Sequence, residues 1–183
     1  PRVMSFTPES LFDELAALPE GRSLPPVADW HPERSGRIDI TIDSHGNWHH
    51  EGALIRRPAM VKLFSTILRH DEDGYCLVTP AERLLIEVED VPFAAVELAA
   101  RGAGLASELL FRTNVDDYVL AGPQHALWVK DPLDNPRPYI RVRGGLNARL
   151  NRAVFYQLVD LSQVIDGAHC VYSDGERFVL GPA

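Results

Sequence analysis

The chain has 183 residues, 45% of them hydrophobic and 24% charged, with a formal net charge of −8. These are the proportions of a globular protein long enough to bury a core of its own, and they exclude an intrinsically disordered chain. The negative charge weighs against nucleic acid or an anionic membrane as a partner, since both need a positive face.

In chain order, Thr7 as N-cap, Pro8 at the first helical position and Glu9 in the first turn predict a helix over residues 5–18. Leu11, Leu15 and Leu18 form its apolar stripe, with Phe12 beside it. Pro19 and Gly21 end it, and Pro25, Pro26 and Pro32 continue an extended linker that Trp30 pins to the body. Ile38, Ile40 and Ile42 alternate as in a strand, Asp43–Asn47 reads as a turn, and Trp48 starts the return strand. A second helix is expected from Pro58 to His70. Asp71–Gly74 breaks the chain and Tyr75–Val78 is a short strand. Thr79-Pro80-Ala81-Glu82 has the pattern of a capping box, predicting one helical turn. Strands carrying Ile86, Val88, Phe93, Val96 and Leu98 follow, bent at Val91-Pro92.

Strands are then expected at Leu109–Thr113, Tyr118–Leu120, Ala126–Lys130 and Tyr139–Val142. The longest helix is expected over Leu146–Leu161, and a closing hairpin at Cys170–Tyr172 and Phe178–Leu180 around Ser173-Asp174-Gly175. The order strand, turn, aromatic, glycine, helix, hairpin therefore occurs twice, with Trp48 and Gly52 matched to Tyr118 and Gly122 and Phe64 to Phe155. The predicted fold is α+β: two similar mixed halves from an internal duplication, residues 30–106 and 107–183, mainly antiparallel sheets with one long helix each. A helix and Pro-rich linker over residues 1–29 precede them.

Cys76 and Cys170 each sit in an apolar strand-like run, as packed thiols of a reduced compartment do. No basic start followed by an apolar run is visible, and no window approaches the ~18 apolar residues of a spanning helix. The expected location is the cytoplasm.

Several short motifs, taken in order, resemble one bacterial family. They are Leu24-Pro25-Pro26 with Trp30, then Gly46-x-Trp48-x-x-x-Gly52-x-x-Ile55-x-Arg57, then Tyr75-x-Leu77-x-Thr79-Pro80-x-Glu82 and Val88-x-Asp90-x-Pro92-Phe93. Phe111-x-Thr113-Asn114 and Tyr139-x-x-Val142-Arg143-x-Gly145-Leu146-x-Ala148-Arg149 complete the set, which covers about residues 24–181. The family is domain-of-unknown-function family 1285. The resemblance implies a duplicated fold whose second half is superficially similar to pleckstrin-homology domains. It also implies a role in bacterial signalling, with a nucleotide-like ligand between the halves.

The residues themselves point to an anion. Between Asn135 and Val159 there is no Asp or Glu, but there are Arg137, Arg141, Arg143, Arg149 and Arg152, so this stretch carries +5. A guanidinium fork suits phosphate or carboxylate. Arg141 and Arg143 share a strand face; Arg149 and Arg152 share a side of the expected helix; Gly144-Gly145 lies between, where amides at a helix N-terminus could hold an anion. The alternative is that the acidic remainder neutralises the cluster in structural ion pairs. The candidate ligand-binding residues are Arg56, Arg57, Thr113, Asn114, Arg141, Arg143, Arg149 and Arg152.

Other constellations have plainer explanations. His45, His49 and His50 straddle a turn, and the last two point to opposite faces, which suits solvated hairpin histidines better than a metal site. Asp71-Glu72-Asp73-Gly74 lacks the distal Glu of a calcium loop and reads as a turn. Glu87, Glu89 and Asp90 are either the polar face of a strand or the carboxylates of a metal-dependent hydrolase. No nucleophile or phosphate-loop motif is present. Trp48 and Tyr118 could stack a base but read more simply as core anchors. The expectation is a binding module for an anionic, nucleotide-like small molecule, with a signalling protein as partner. No cofactor or metal is called for, and an enzyme is less expected than a binder. The competing expectations are that hydrolase, or an interaction scaffold working through the N-terminal helix.

Overall fold

A computed structural model describes residues 24–183. The helix expected over 5–18 lies outside the described residues. Six strands form the first sheet: β1 (Arg34–Ile42), β2 (Trp48–His50), β3 (Ala53–Leu54), β4 (Leu68–Asp71), β5 (Gly74–Val78) and β6 (Glu82–Val88), in the order β3-β2-β1-β6-β5-β4. Two antiparallel meanders are thus joined by one parallel pairing, β1 with β6. The second sheet contains β7 (Phe93–Arg101), β8 (Glu108–Thr113), β9 (Tyr118–Leu120), β10 (Leu127–Lys130), β11 (Arg137–Arg143) and β12 (Leu146–Leu150). Its order, β10-β11-β12-β7-β8-β9, is the same plan, with β12 parallel to β7. The α+β duplication is therefore present as two sheets of identical strand connection. A third sheet, β13 (Gln163–Ile165), β14 (Ala168–Ser173) and β15 (Glu176–Pro182), closes the chain.

The duplication is not the one read at matched aromatics. Trp48 opens the second strand of its half, whereas Tyr118 opens the third strand of its own. The nine-residue helices also occupy different places: α1 (Pro58–Thr66) lies between the meanders, and α2 (Arg152–Asp160) follows all six strands. Phe64 and Phe155 are therefore not counterparts. The Phe93–Arg101 strand, grouped with the first half on sequence, hydrogen-bonds in the second sheet because β8 and β12 flank it.

Three helix expectations change for local reasons. Leu146–Leu150 is a strand: Leu146, Ala148 and Leu150 are buried at period two, and they satisfy a period of 3.6 only when joined to Val154 and Leu158. The true start is Asn151, whose side chain caps the helix by accepting from Val154 N at 2.9 Å. The first helix stops at Thr66, not His70. The Ser65 and Thr66 hydroxyls donate to the carbonyls of Lys62 and Leu63 in its last turn, and Leu68–Asp71 pairs with β5. Thr79 does cap neighbouring amides, accepting from Ala81 and Glu82, but in the turn between β5 and β6 and with no helix.

One apolar cluster runs through all three sheets. Trp48, Leu68 and Ile86 join Phe93, Phe111 and Ile140, and then Leu158, Val171 and Phe178. Trp48 is buried and its ring lies 6.2 Å from Phe64, so it is a core anchor. Both cysteines are free and buried.

Candidate functional site

The end of β12 and the start of α2 bring two of the expected arginines together. Arg149 is on the strand, Asn151 is the cap and Arg152 is the first helical residue. Asn151 N donates to Ala95 O at 3.1 Å, which fixes this junction against β7. The Arg152 guanidinium lies 5.8 Å over the Tyr156 ring, one turn on. Facing them is the β1–β2 turn of the first half, with Ser44 and His45. Between these walls is a cleft of about 760 Å³, lined also by Phe155, Tyr156 and Pro136.

Hydrogen bonds set the opposite wall. Asp43 accepts from the backbone N–H of His45 and Asn47, and its other oxygen lies 3.0 Å from His49 Nε2. Burial alone would raise the Asp43 carboxyl, but His49 and those N–H groups outweigh it and hold it below its usual value. Ser44 N donates to Glu89 at 2.9 Å. Asn114 fastens the turn to the second half: its side chain accepts from Ala94 N at 3.1 Å and donates to Gly46 O at 2.9 Å. Gly46 has φ +82°, and a Cβ there would meet the Asn114 side-chain nitrogen at 2.8 Å.

Arg149 stands 3.4 Å from Asp90, which already accepts the Tyr139 hydroxyl at 3.0 Å. Burial, then that hydrogen bond, raise the Tyr139 phenol above its ordinary value. Asp90 thus holds Arg149 at the cleft wall through a long contact.

The remaining expected site residues go elsewhere. Arg143 is clamped by Asp117 at 2.7 Å and donates to Ser65 O of the first half at 2.9 Å, so it ties the halves together. Arg141 is exposed and donates to Gly144 O within its own hairpin. A register irregularity between Arg141 and Arg143 breaks the common face expected of them. Arg137 pairs with Asp131. Arg56 and Arg57 are exposed just ahead of α1. Thr113 is fully buried, and its hydroxyl accepts from Val115 and Asp117 within the turn. The five guanidiniums therefore do not converge on one point. Gly144-Gly145 lies in the β11–β12 hairpin and not at a helix start, because the strand continues to Leu150. The helix N-terminus is one strand later, between Arg149 and Arg152.

His45, Asn151 and Tyr156 were not among the expected residues. Asn151, followed by Val154 on the buried stripe, carried a legible capping signal; His45 enters only through the packing of the two halves. The three carboxylates of the expected hydrolase site each have a different partner: Glu87 pairs with Arg37, Glu89 receives Ser44 N and Asp90 receives Tyr139. Among the described residues no group of three or more His, Cys, Asp or Glu stands close enough to hold a metal. None of the helices there is long and apolar enough to cross a membrane.

Two family models match the chain. One is described as "Domain of unknown function (DUF1285), N-terminal domain" and matches residues 25–91. The other is described as "Protein of unknown function (DUF1285), C-terminal domain" and matches residues 92–180. Their junction falls between β6 and β7. The structure is similar to the crystal structure of a DUF1285 family protein from Silicibacter pomeroyi DSS-3, with a TM-score of 0.83, 40% identity and 94% of each chain covered. It is also similar to that of a DUF1285 family protein from Shewanella baltica OS155, with a TM-score of 0.52 and 28% identity over 66% of this chain and 90% of that one. No curated protein matches.

Proposed function

The chain belongs to the DUF1285 family, and from that premise we propose that it is a binding module that takes an anionic small molecule in the cleft between its two halves. The observation that carries this reading is the meeting of Arg149, Arg152 and the N-terminus of α2 at one wall of a cleft of about 760 Å³. The Asn151 side chain takes the Val154 amide, which leaves those of Arg152 and Ala153 as the first-turn donors for an anion, and the helix dipole favours negative charge there. Two guanidinium forks beside them add charge-assisted donors. Phe155 and Tyr156 line the same cleft and offer apolar and aromatic surface, so a planar group attached to the anion would have somewhere to lie. A nucleotide-like ligand meets both requirements. Its contact with Ser44-His45 would couple binding to the seating of one half on the other, which suits a cytoplasmic signalling role.

The test is a thermal-shift screen with inorganic phosphate and nucleoside phosphates against sodium chloride of equal ionic strength. A ligand present at 100 times its Kd stabilises by about 2.7 kcal/mol and raises the melting temperature accordingly. Arg152→Ala should weaken the binding at least tenfold while folding normally, since Arg152 is exposed and stacks only on Tyr156. If no anion stabilises beyond the salt control, the reading fails.

A further inference from the structure

The approach to α1 exposes an apolar and basic surface that the cleft does not use. Leu54 is 42% exposed, Met60 38% and Leu63 64%, and Met60 and Leu63 lie three apart on one helix face. Arg56 and Arg57 are exposed immediately before the helix, and among the described residues neither has a partner. Arg57 is the N-cap position and makes no side-chain cap. Large apolar side chains grouped with unpaired charges on a surface mark a contact site.

The chain itself contains a segment of matching chemistry. Residues 7–20 hold Glu9, Asp13, Glu14 and Glu20 and no Lys or Arg, and the Leu11, Leu15, Leu18 stripe runs through them. Arg69 donates to Val27 O and Trp30 O, both at 2.7 Å, so the linker enters the body beside β4, which directly follows α1. At 1.5 Å per residue, a nine-residue helix is about 13 Å long and a helix of residues 7–18 about 18 Å. Residues 19–23 allow about 20 Å of extended chain between Leu18 and Leu24.

We propose that residues 7–18 dock in cis on this surface, with Leu11, Leu15 and Leu18 against Leu54, Met60 and Leu63, and with Glu9, Asp13 and Glu14 opposite Arg56 and Arg57. This covers the apolar face and offsets the charge of Arg56 and Arg57. It does not depend on the cleft.

Hydrogen exchange of the full chain, read by mass spectrometry on peptides from residues 7–18 at two protein concentrations, tests the proposal. Exchange in the wild-type protein should be at least tenfold slower than in Leu63→Glu, and also than in Arg56→Glu/Arg57→Glu. All three positions are exposed, so both variants should melt like the wild type. Adding Glu9→Arg, Asp13→Arg and Glu14→Arg to the arginine variant should restore the protection. Equal exchange in the wild type and both variants would overturn the proposal, as would protection that survives in both. Protection that disappears on dilution would assign the surface to a second copy, and protection seen only with phosphatidylserine vesicles would assign it to a membrane; either result overturns docking in cis.

Discussion

Asn114 shows how a residue that looks like a ligand group can be a structural clasp. An Asn at a turn following a buried Thr is chemically suited to hydrogen-bond a small molecule, and sequence alone offers nothing to decide otherwise. In the fold its amide is committed on both sides, to Ala94 N of β7 and to Gly46 O of the β1–β2 turn. Its effect on the proposed ligand would be indirect, through the placing of His45. Asn114→Ala removes both bonds and leaves Ala94 N, a buried donor, unsatisfied. The cost is about 1–3 kcal/mol, visible as a lower urea midpoint at an unchanged slope. Ligand affinity should fall with it, whereas Arg152→Ala should cost affinity and leave the midpoint in place. An Asn114→Ala protein with the wild-type midpoint would show that the clasp does not hold the halves together. Arg143 was open to the same misreading, since its fork is already occupied by Asp117 and Ser65 O.

Among the elements, β4, β5 and β6 are tied by a charged lattice as well as by their ladders. Arg69 on β4 gives two hydrogen bonds to Asp71, and Arg83 on β6 reaches both Asp71 and Asp73. Burial would raise the Asp71 carboxyl, but Arg69, the Cys76 thiol and Arg83 outweigh it and hold it below its ordinary value of 3.8. A carboxyl depressed by folding contributes stability that is fully present above 3.8 and lost as pH falls through the folded value. Asp71→Asn should therefore destabilise by about 1.5–3 kcal/mol at pH 7, the range for hydrogen bonds to charged groups. The gap to wild type should close as pH drops below 3.8, as urea midpoints at the two pH values would show. A gap of constant size would mean that packing, and not charge, supports the strand. At this scale most of the fold was legible: the alternating Ile38, Ile40, Ile42, the Tyr118–Leu120 strand and the final hairpin stand where their patterns put them. The β12–α2 junction was not, because a buried strand running into a buried helix stripe lets one 3.6-residue period thread both. That misreading placed the helix N-terminus beside Gly144-Gly145, between the Arg141–Arg143 and Arg149–Arg152 pairs. Arg149 and Arg152 nonetheless flank the real N-terminus, since they follow the strand end and not the glycines. His45 was beyond reach for a different reason: its nearness to α2 comes from the meeting of two sheets, a relation that no local pattern encodes.

For the molecule as a whole, the two halves share one interior. The apolar cluster passes without a break from Ile42 and Trp48 in the first sheet to Phe93, Phe111 and Ile140 in the second and on to Val171 and Phe178 in the third. Polar ties cross the same boundary, among them Asn114 to Gly46 O, Arg143 to Ser65 O and His70 to Gly145 O. Neither half closes a core without the other, so duplication of the strand plan has not produced two independent folding units. Unfolding should be a single cooperative transition. Phe111 is fully buried in the second half, and Phe111→Ala removes about 3–5 kcal/mol. Trp48, deep in the first half, reports the other side. In Phe111→Ala the fluorescence transition, dominated by Trp48 once Trp30 and Trp128 are replaced by Phe, should move to lower urea by the same amount as the far-ultraviolet circular dichroism transition. If the Trp48 transition stays at its wild-type midpoint while the dichroism splits in two, the halves fold separately and the cleft between them is a contact of two bodies, with binding free to shift one against the other. A common shift instead means that the proposed ligand, bound in the cleft, would act on the stability of the entire chain.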